Sequence, residues 1–412
     1  MAALVTLVKS VVIGLYCGDR PPPQVRLILK NHSRMDTQTS YFEAQRCIEH
    51  AAETAAQALD LKHLRGLTRI PDTIKGLPLK TLCLRSTGAA EQPMLDLGAL
   101  ADLPELEHLD IAHAAVELAP LGDLPRLHTL RLALCHLPDP TSLADLRRVE
   151  ILELMGFDFA KHPFILRCLR LMPHLRDLDL ADCTMIDPSP LSFLTDLTAL
   201  ALRELDVVDD HGMGKPFDTT TLAPLKGLRR LNSYEVSFED ISPLAALTQL
   251  EELSLSDEGI TDLYPLSGLT ALRNLSLTSL PVENLADLAG LINLEFLWAP
   301  FREPISDVAP LARMDALRTL ALVICNADLS HIAGLPKLEE LVLFVRGPQD
   351  LSQLGQMTSL KKLKLDGEAV RDVSALQNLT TLEELRLVRT NVPNLETLQG
   401  FSHLKINPPS IS

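Results

Sequence analysis

A chain of 412 residues that is 46% hydrophobic, with a mean hydropathy of +0.14, can bury a large core, yet it contains no uncharged apolar run of about 18 residues, so no membrane-spanning helix is expected. A formal net charge of -16 opposes broad binding to nucleic acid, which needs a field of the opposite sign. The seven cysteines form neither C-x-x-C pairs nor the terminal clusters of extracellular repeat domains, which points to reduced thiols and a cytoplasmic setting.

Residues 1–34 differ in character from the rest of the chain. They carry Lys9, Arg20, Arg26, Lys30 and Arg34 against Asp19 alone, in a chain that is otherwise acidic. Met1 to Cys17 is mostly apolar, but Lys9 interrupts it, no basic stretch precedes it and no small-x-small cleavage site comes after it, so it does not read as a secretion signal. Tyr16 before Cys17 argues against a lipoprotein box. The segment is expected to be a disordered leader or to lie upstream of a working start at Met35. A capping helix is predicted over 35–58. From Tyr41 to Leu59 the chain reads YFEAQRCIEHAAETAAQAL, with Phe42, Cys47 and Ile48 and then Ala51, Ala55 and Leu59 at helical spacing. Such a helix would cover the open N-terminal end of the core.

From 59 to 406 the unit L-x-x-L-x-L returns about every 22 residues, as in Leu250, Leu253 and Leu255, then Leu272, Leu275 and Leu277, and later Leu382, Leu385 and Leu387. The central residue falls at 59, 82, 109, 130, 152, 178, 200, 234 (Tyr234), 253, 275, 297, 320, 341, 363 and 385, a period in the leucine-rich repeat range. That makes about 15 turns, with a sixteenth abandoned after Leu404 and a tail over 407–412 in which two prolines stop further pairing. The last two leucines of each unit lie two apart, so in a short strand they point together into a core. Stacked turns build a parallel sheet, and a return segment completes the core. That segment reads DISPLAALTQL from Asp240 and DVAPLARMDAL from Asp307; its Asp can accept from the free amides of a short helical turn, and proline fits the start of that turn.

At these residues the chain resembles the internalin-like bacterial leucine-rich repeat proteins, with their D-[ILV]-x-P-L-x-x-L-x-x-L return. The resemblance spans roughly 59 to 406 and implies an α/β solenoid curved as a horseshoe, its parallel sheet on the concave side and short helical or irregular segments on the convex side. One departure is that the usual asparagine three residues after the last leucine is largely missing. Cys135, Cys183 and Cys325 stand there in three turns, whereas Phe157, Leu205, Glu239 and Leu280 stand there in others, so the bonding at that corner should be irregular.

The residues present no catalytic set, and no enzyme activity, no cofactor and no metal is expected. The longest break in the period holds LDVVDDHGMGKPFDTTT, 205–221. Its Gly212, Gly214 and Lys215 fail as a phosphate loop because Asp209 replaces the leading glycine and Pro216 comes after the lysine. Its carboxylates lack the ordered spacing of a calcium loop. Cys17-Gly18-Asp19 resembles the C-x-D motif of ubiquitin ligases among bacterial leucine-rich repeat effectors, but that motif belongs to a large domain after the repeats. Cys83, His108, Asp110, His113 and His128 come from neighbouring turns without ligand spacing.

What remains is the outward face of the sheet, read one residue after each central position. With the neighbouring positions it divides into an acidic stretch (Glu153, Asp177, Asp179, Asp182, Glu204, Glu235, Glu251, Glu252), an apolar island (Phe296, Trp298, Phe301, Val323, Val342, Phe344, Val345) and a basic end (Lys361, Lys362, Lys364, Arg386, Arg389). The island is expected to be exposed and to anchor a protein partner, with Asp179 and Glu235 steering a basic surface toward it. These residues favour a protein-binding scaffold. The alternatives are a recognition subunit of a ligase or phosphatase assembly and a secreted bacterial effector, with self-association through the C-terminal edge also open.

Overall fold

The computed structural model describes residues 37–86, 94–392 and the backbone of 405–407. The leader, the start at Met35, Cys17 and the tail after 407 lie outside the described residues. The chain divides into two compact units, 1–130 with 135–138, and 131–134 with 139–412.

In the first unit, helix α1 spans Thr37–Glu53 and buries Ala44, Cys47, Ile48 and Ala51, one stripe at helical spacing. It packs against the strand Ala58–Asp60 and the turn Asp72–Ile74, and the Ser40 hydroxyl donates to the Arg65 carbonyl at 2.6 Å. The helix ends earlier than its alanine-rich sequence suggests. Ala55 takes a left-handed φ of 49° just past the helix, and Leu59 belongs to the first strand. Phe42 lies off the buried stripe and is 56% exposed. The strands Ala58–Asp60, Thr81–Arg85 and His108–Ala112 are parallel, with Leu59, Leu82 and Leu109 in register.

The second unit repeats this arrangement from Ile151–Met155 to Lys405–Asn407, every strand parallel to the next. Leu152, Leu178 and Leu200 stand side by side, and so do Leu253, Leu275, Leu297, Leu320, Leu341, Leu363 and Leu385. All are buried, as the spacing requires. Two assignments change. The residue opposite Leu200 and Leu253 is Leu231, not Tyr234. Ser233, fully buried, takes the place of the last leucine in that turn and hides the pattern. A sixteenth strand also forms, with Ile406 opposite Leu385.

Between strands the chain returns through short 3-10 turns whose leading carboxylate accepts from the amide two residues on. Asp240 accepts from Ser242 at 2.7 Å, Asp262 from Tyr264 at 2.8 Å, Asp307 from Ala309 at 2.9 Å and Asp372 from Ser374 at 2.8 Å. Proline stands at the start of the turns Ser242–Ala246, Tyr264–Leu266 and Ala309–Arg313. Many strands leave through a left-handed residue, such as Asp182 (φ 53°), Glu204 (φ 50°) and Gly367 (φ 147°). At Gly367 a side chain would strike the Val345 carbonyl, so only glycine fits there. Among the described residues no helix is long and apolar enough to cross a membrane.

This packing can be tested at its core and at its turns. Leu275 is wholly buried between Leu253 and Leu297, so Leu275→Asp strands an unpaired charge in the core and should cost about 4 kcal/mol or more, read by urea denaturation. The turn carboxylates Asp139, Asp240, Asp328, Asp350 and Asp372 are held below the usual carboxylate range by the hydroxyl and amide they accept from. A folded pKa below the unfolded one means that the stabilisation is present above about pH 3.9 and is lost as the pH falls through the folded value. The melting temperature should therefore drop as pH is lowered from about 4, and Asp372→Asn, which keeps the acceptor without the charge, should flatten that dependence. A pH dependence unchanged by this substitution would remove the linkage.

Candidate binding face of the sheet

Alternation turns a row of side chains away from the leucine core. In the second unit the register runs Glu153, Asp179, Ala201, Asn232, Ser254, Ser276, Trp298, Ala321, Val342, Lys364, Arg386. Flanking this row, Phe296 pairs with Thr319 and Val323 pairs with Phe344. The face is the one that alternation predicts for most of these residues, but Val345, opposite Ile324, falls in step with Leu341 and Leu343 on the leucine side, and two more depart. Glu235 is off the row: it lies past the strand Arg230–Tyr234 at φ 53°, exposed, and its carboxylate accepts from the Tyr234 hydroxyl. Phe301 lies past the strand Phe296–Ala299 and is buried.

Exposure is the main correction. Trp298 is only 5% exposed, and Val323, Val342, Phe344 and Val345 are buried as well. Only Phe296 of the island is half-buried. Alternation decides which way a side chain points, but strands about 4.8 Å apart let neighbours on one face pack over each other. The Phe296 ring stacks on the indole with centroids 6.4 Å apart and planes 8° apart, and the Lys364 ammonium stands 5.3 Å from the centre of the Phe344 ring. Burial holds the Lys364 pKa down.

The acidic and basic ends are not bare fields either. Asp177 pairs with Arg230 at 3.1 Å, Asp179 with Arg203, Glu153 with Arg131 at 3.3 Å and Glu251 with Arg229. Burial pushes the Asp177 and Asp179 carboxyls up, against the pull of Arg230 and Arg203. At the basic end Lys361 meets Glu339 at 2.8 Å, Arg386 meets Glu384 at 2.6 Å and Arg389 meets Asp366 at 2.6 Å. Charge placed on the face is largely answered by the next strand.

Polar atoms on the same row are less well served. Among the described residues Asn232 Oδ1, Ser276 Oγ and Trp298 Nε1 are buried and find no hydrogen-bond partner. Burial of a polar group without a partner is uncommon enough to need a cause.

The remaining motifs take other places in the fold. Segment 205–221 is a folded turn: Asp206–Val207 pairs with Thr184–Met185, Asp209 accepts from the amides of His211 and Met213, and Phe217 meets Phe238 edge-on at 5.9 Å. Cys183 donates its thiol to the carbonyls of Leu154 and Ala181, at 3.4 and 3.3 Å, in the corner that asparagine usually fills. Burial pushes that thiol up to about 12, so it stays protonated and unreactive at neutral pH. Asp110 pairs with Lys62, Cys83 is buried, and the His113 ring nitrogen lies 3.1 Å from Arg85. His108 and His128 come together, their ring centroids 4.7 Å apart.

Parallel strands in leucine register, closed by carboxylate-capped turns, define a leucine-rich repeat solenoid. Its fold is that of an internalin-like protein. An internalin, InlF, of Listeria monocytogenes is similar with a TM-score of 0.58 at 24% identity, over 78% of this chain and 94% of its own. A leucine-rich repeat protein of Leptospira interrogans gives 0.51 at 16% identity, over 88% and 98%. A plant peptide hormone receptor, RGFR1, solved in complex with RGF2, gives 0.52 at 19% identity over 84% of this chain, which spans 59% of that receptor. At these identities the likeness is one of fold. No protein-family model and no curated protein matches the chain by sequence.

The burial of Trp298 can be read directly, because it is the sole tryptophan. Its fluorescence is expected to be blue-shifted and shielded from acrylamide in the native protein, moving to the red on unfolding. Emission already at the solvent-exposed wavelength in the folded state would contradict the packing of Phe296 over the indole.

Proposed function

We propose that the protein is a non-enzymatic scaffold that holds a protein segment against the outward face of the sheet in its second unit. One observation carries this function: Asn232, Ser276 and Trp298 lie along one register row, and each keeps a buried donor or acceptor unanswered. Leaving a buried polar group unpaired costs about 1–3 kcal/mol. An extended segment crossing the strands carries alternating donors and acceptors that relieve this cost on binding. The indole Nε1 lies below the surface, so Phe296, the half-buried ring parallel to Trp298, turns aside on binding and then packs on the partner. Trp298, Val342 and Phe344 then act as a floor that the partner's apolar side chains meet. Steering by Asp179 is weak in this account, because Arg203 already answers it. The RGFR1 complex supports the reading by likeness of fold. A cytoplasmic setting is part of the proposal, in keeping with the thiols of Cys47, Cys168, Cys183 and Cys325, which form no disulfide.

A photocrosslinking residue at Asn274, beside Phe296 in the register, tests this directly. It should capture a discrete partner. Phe296→Ala should then weaken that partner by about 2 kcal/mol. Trp298→Phe, which keeps an aromatic ring at the position and removes the donor, should weaken it by about 1 kcal/mol. A partner bound with full affinity by both variants would place the contact elsewhere.

A further inference from the structure

We propose that Glu107, His108 and His128 of the first unit form a binding site for a divalent transition-metal ion of the zinc class. The three are brought together by the repeat itself. Glu107 and His108 open the strand His108–Ala112, and His128 precedes the strand Thr129–Ala133. The Glu107 carbonyl accepts from the amides of both His128 and Thr129, at 3.2 and 3.1 Å, which fixes the two segments side by side. One ligand atom from each of the three side chains lies within 4.8 Å of the other two, and all three side chains are half-buried. Among the described residues, these are the only ones of ligand type that gather so closely.

The donor set selects the ion. Two imidazole nitrogens with one carboxylate oxygen suit zinc, cobalt, nickel or copper, whereas calcium and magnesium take oxygen donors. Ligands at about 2.1 Å in tetrahedral array stand about 3.4 Å apart, so closure requires side-chain movement of about an ångström. Partial exposure allows that movement. His128 has its Nδ1 3.1 Å from the Thr129 hydroxyl; with Nδ1–H donating to that hydroxyl, Nε2 carries the lone pair for the ion, and Thr129 is the outer partner that ligating histidines usually have. Lys80 lies 3.6 Å from one Glu107 oxygen, and the carboxylate has a second oxygen to offer. Three protein ligands leave a fourth position for water or an incoming group. The sequence offers His108 and His128 from two neighbouring turns without ligand spacing, and Glu107 looks like any surface acid.

The test uses untagged, chelator-treated full-length protein, since a polyhistidine tag would bind the same ions. Calorimetric titration with Zn2+ should show one saturable site, and Co2+ should give visible d–d bands without a sulfur charge-transfer band. His128→Ala, His108→Gln and Glu107→Gln should each abolish that site while leaving the metal-free melting temperature and circular dichroism unchanged. Thr129→Val should weaken it about tenfold. The proposal is overturned if wild-type protein shows no saturable binding, if His128→Ala binds Zn2+ as well as wild type, or if the Co2+ spectrum reports thiolate ligands.

Discussion

No turn of this chain can bury its own leucines; each strand is covered by the strand beside it, and everything else in the molecule accommodates that dependence. Leu275 is buried because Leu253 and Leu297 flank it, and each of those depends on its own neighbour in turn. The constraint acts on register more than on composition. A turn that slipped by one residue would send its leucines to solvent and its variable side chains into the core. The chain therefore tolerates Ser233 in a leucine position and an inserted segment after Leu205, so long as Leu231 returns opposite Leu200.

The fold is legible in the sequence because the constraint is periodic. The leucine spacing, the leading Asp and the turn proline recur often enough that a single degenerate copy does not hide them. A single copy taken alone misleads. Tyr234 looks like the central residue of its turn only because Ser233 is not a leucine, and that error carries Glu235 onto a row it does not occupy. The binding face is legible in direction but not in depth. Nothing in the order of residues says that Phe296 will run parallel to the Trp298 indole or that Lys364 will reach over Phe344; those contacts depend on rotamers chosen among several strands at once.

Charge shows the same limit. The acidic and basic stretches are real in sequence, and with a net charge of -16 they suggest a strongly polar face. In three dimensions the residues that answer them sit one or two turns away, as Arg203 does for Asp179 and Arg230 for Asp177. Ion pairs across neighbouring strands leave little long-range field. They confer orientation on the side chains involved, so recognition on this face depends on shape and on unanswered hydrogen-bonding groups more than on steering.

The folded insertion bears on how such a chain can be altered. Its base is tied on both sides, by the pairing of Asp206–Val207 with Thr184–Met185 and by the contact of Phe217 with Phe238, and the bridge from Val208 to Gly214 closes the tip above it. Residues beyond that bridge, 209–213, contribute nothing to leucine register. Closure entropy grows only with the logarithm of length, by about 0.6 kcal/mol for each doubling. The tip is thus a port at which foreign sequence, even a small folded module, can be spliced into the solenoid while the strands on either side keep their alignment.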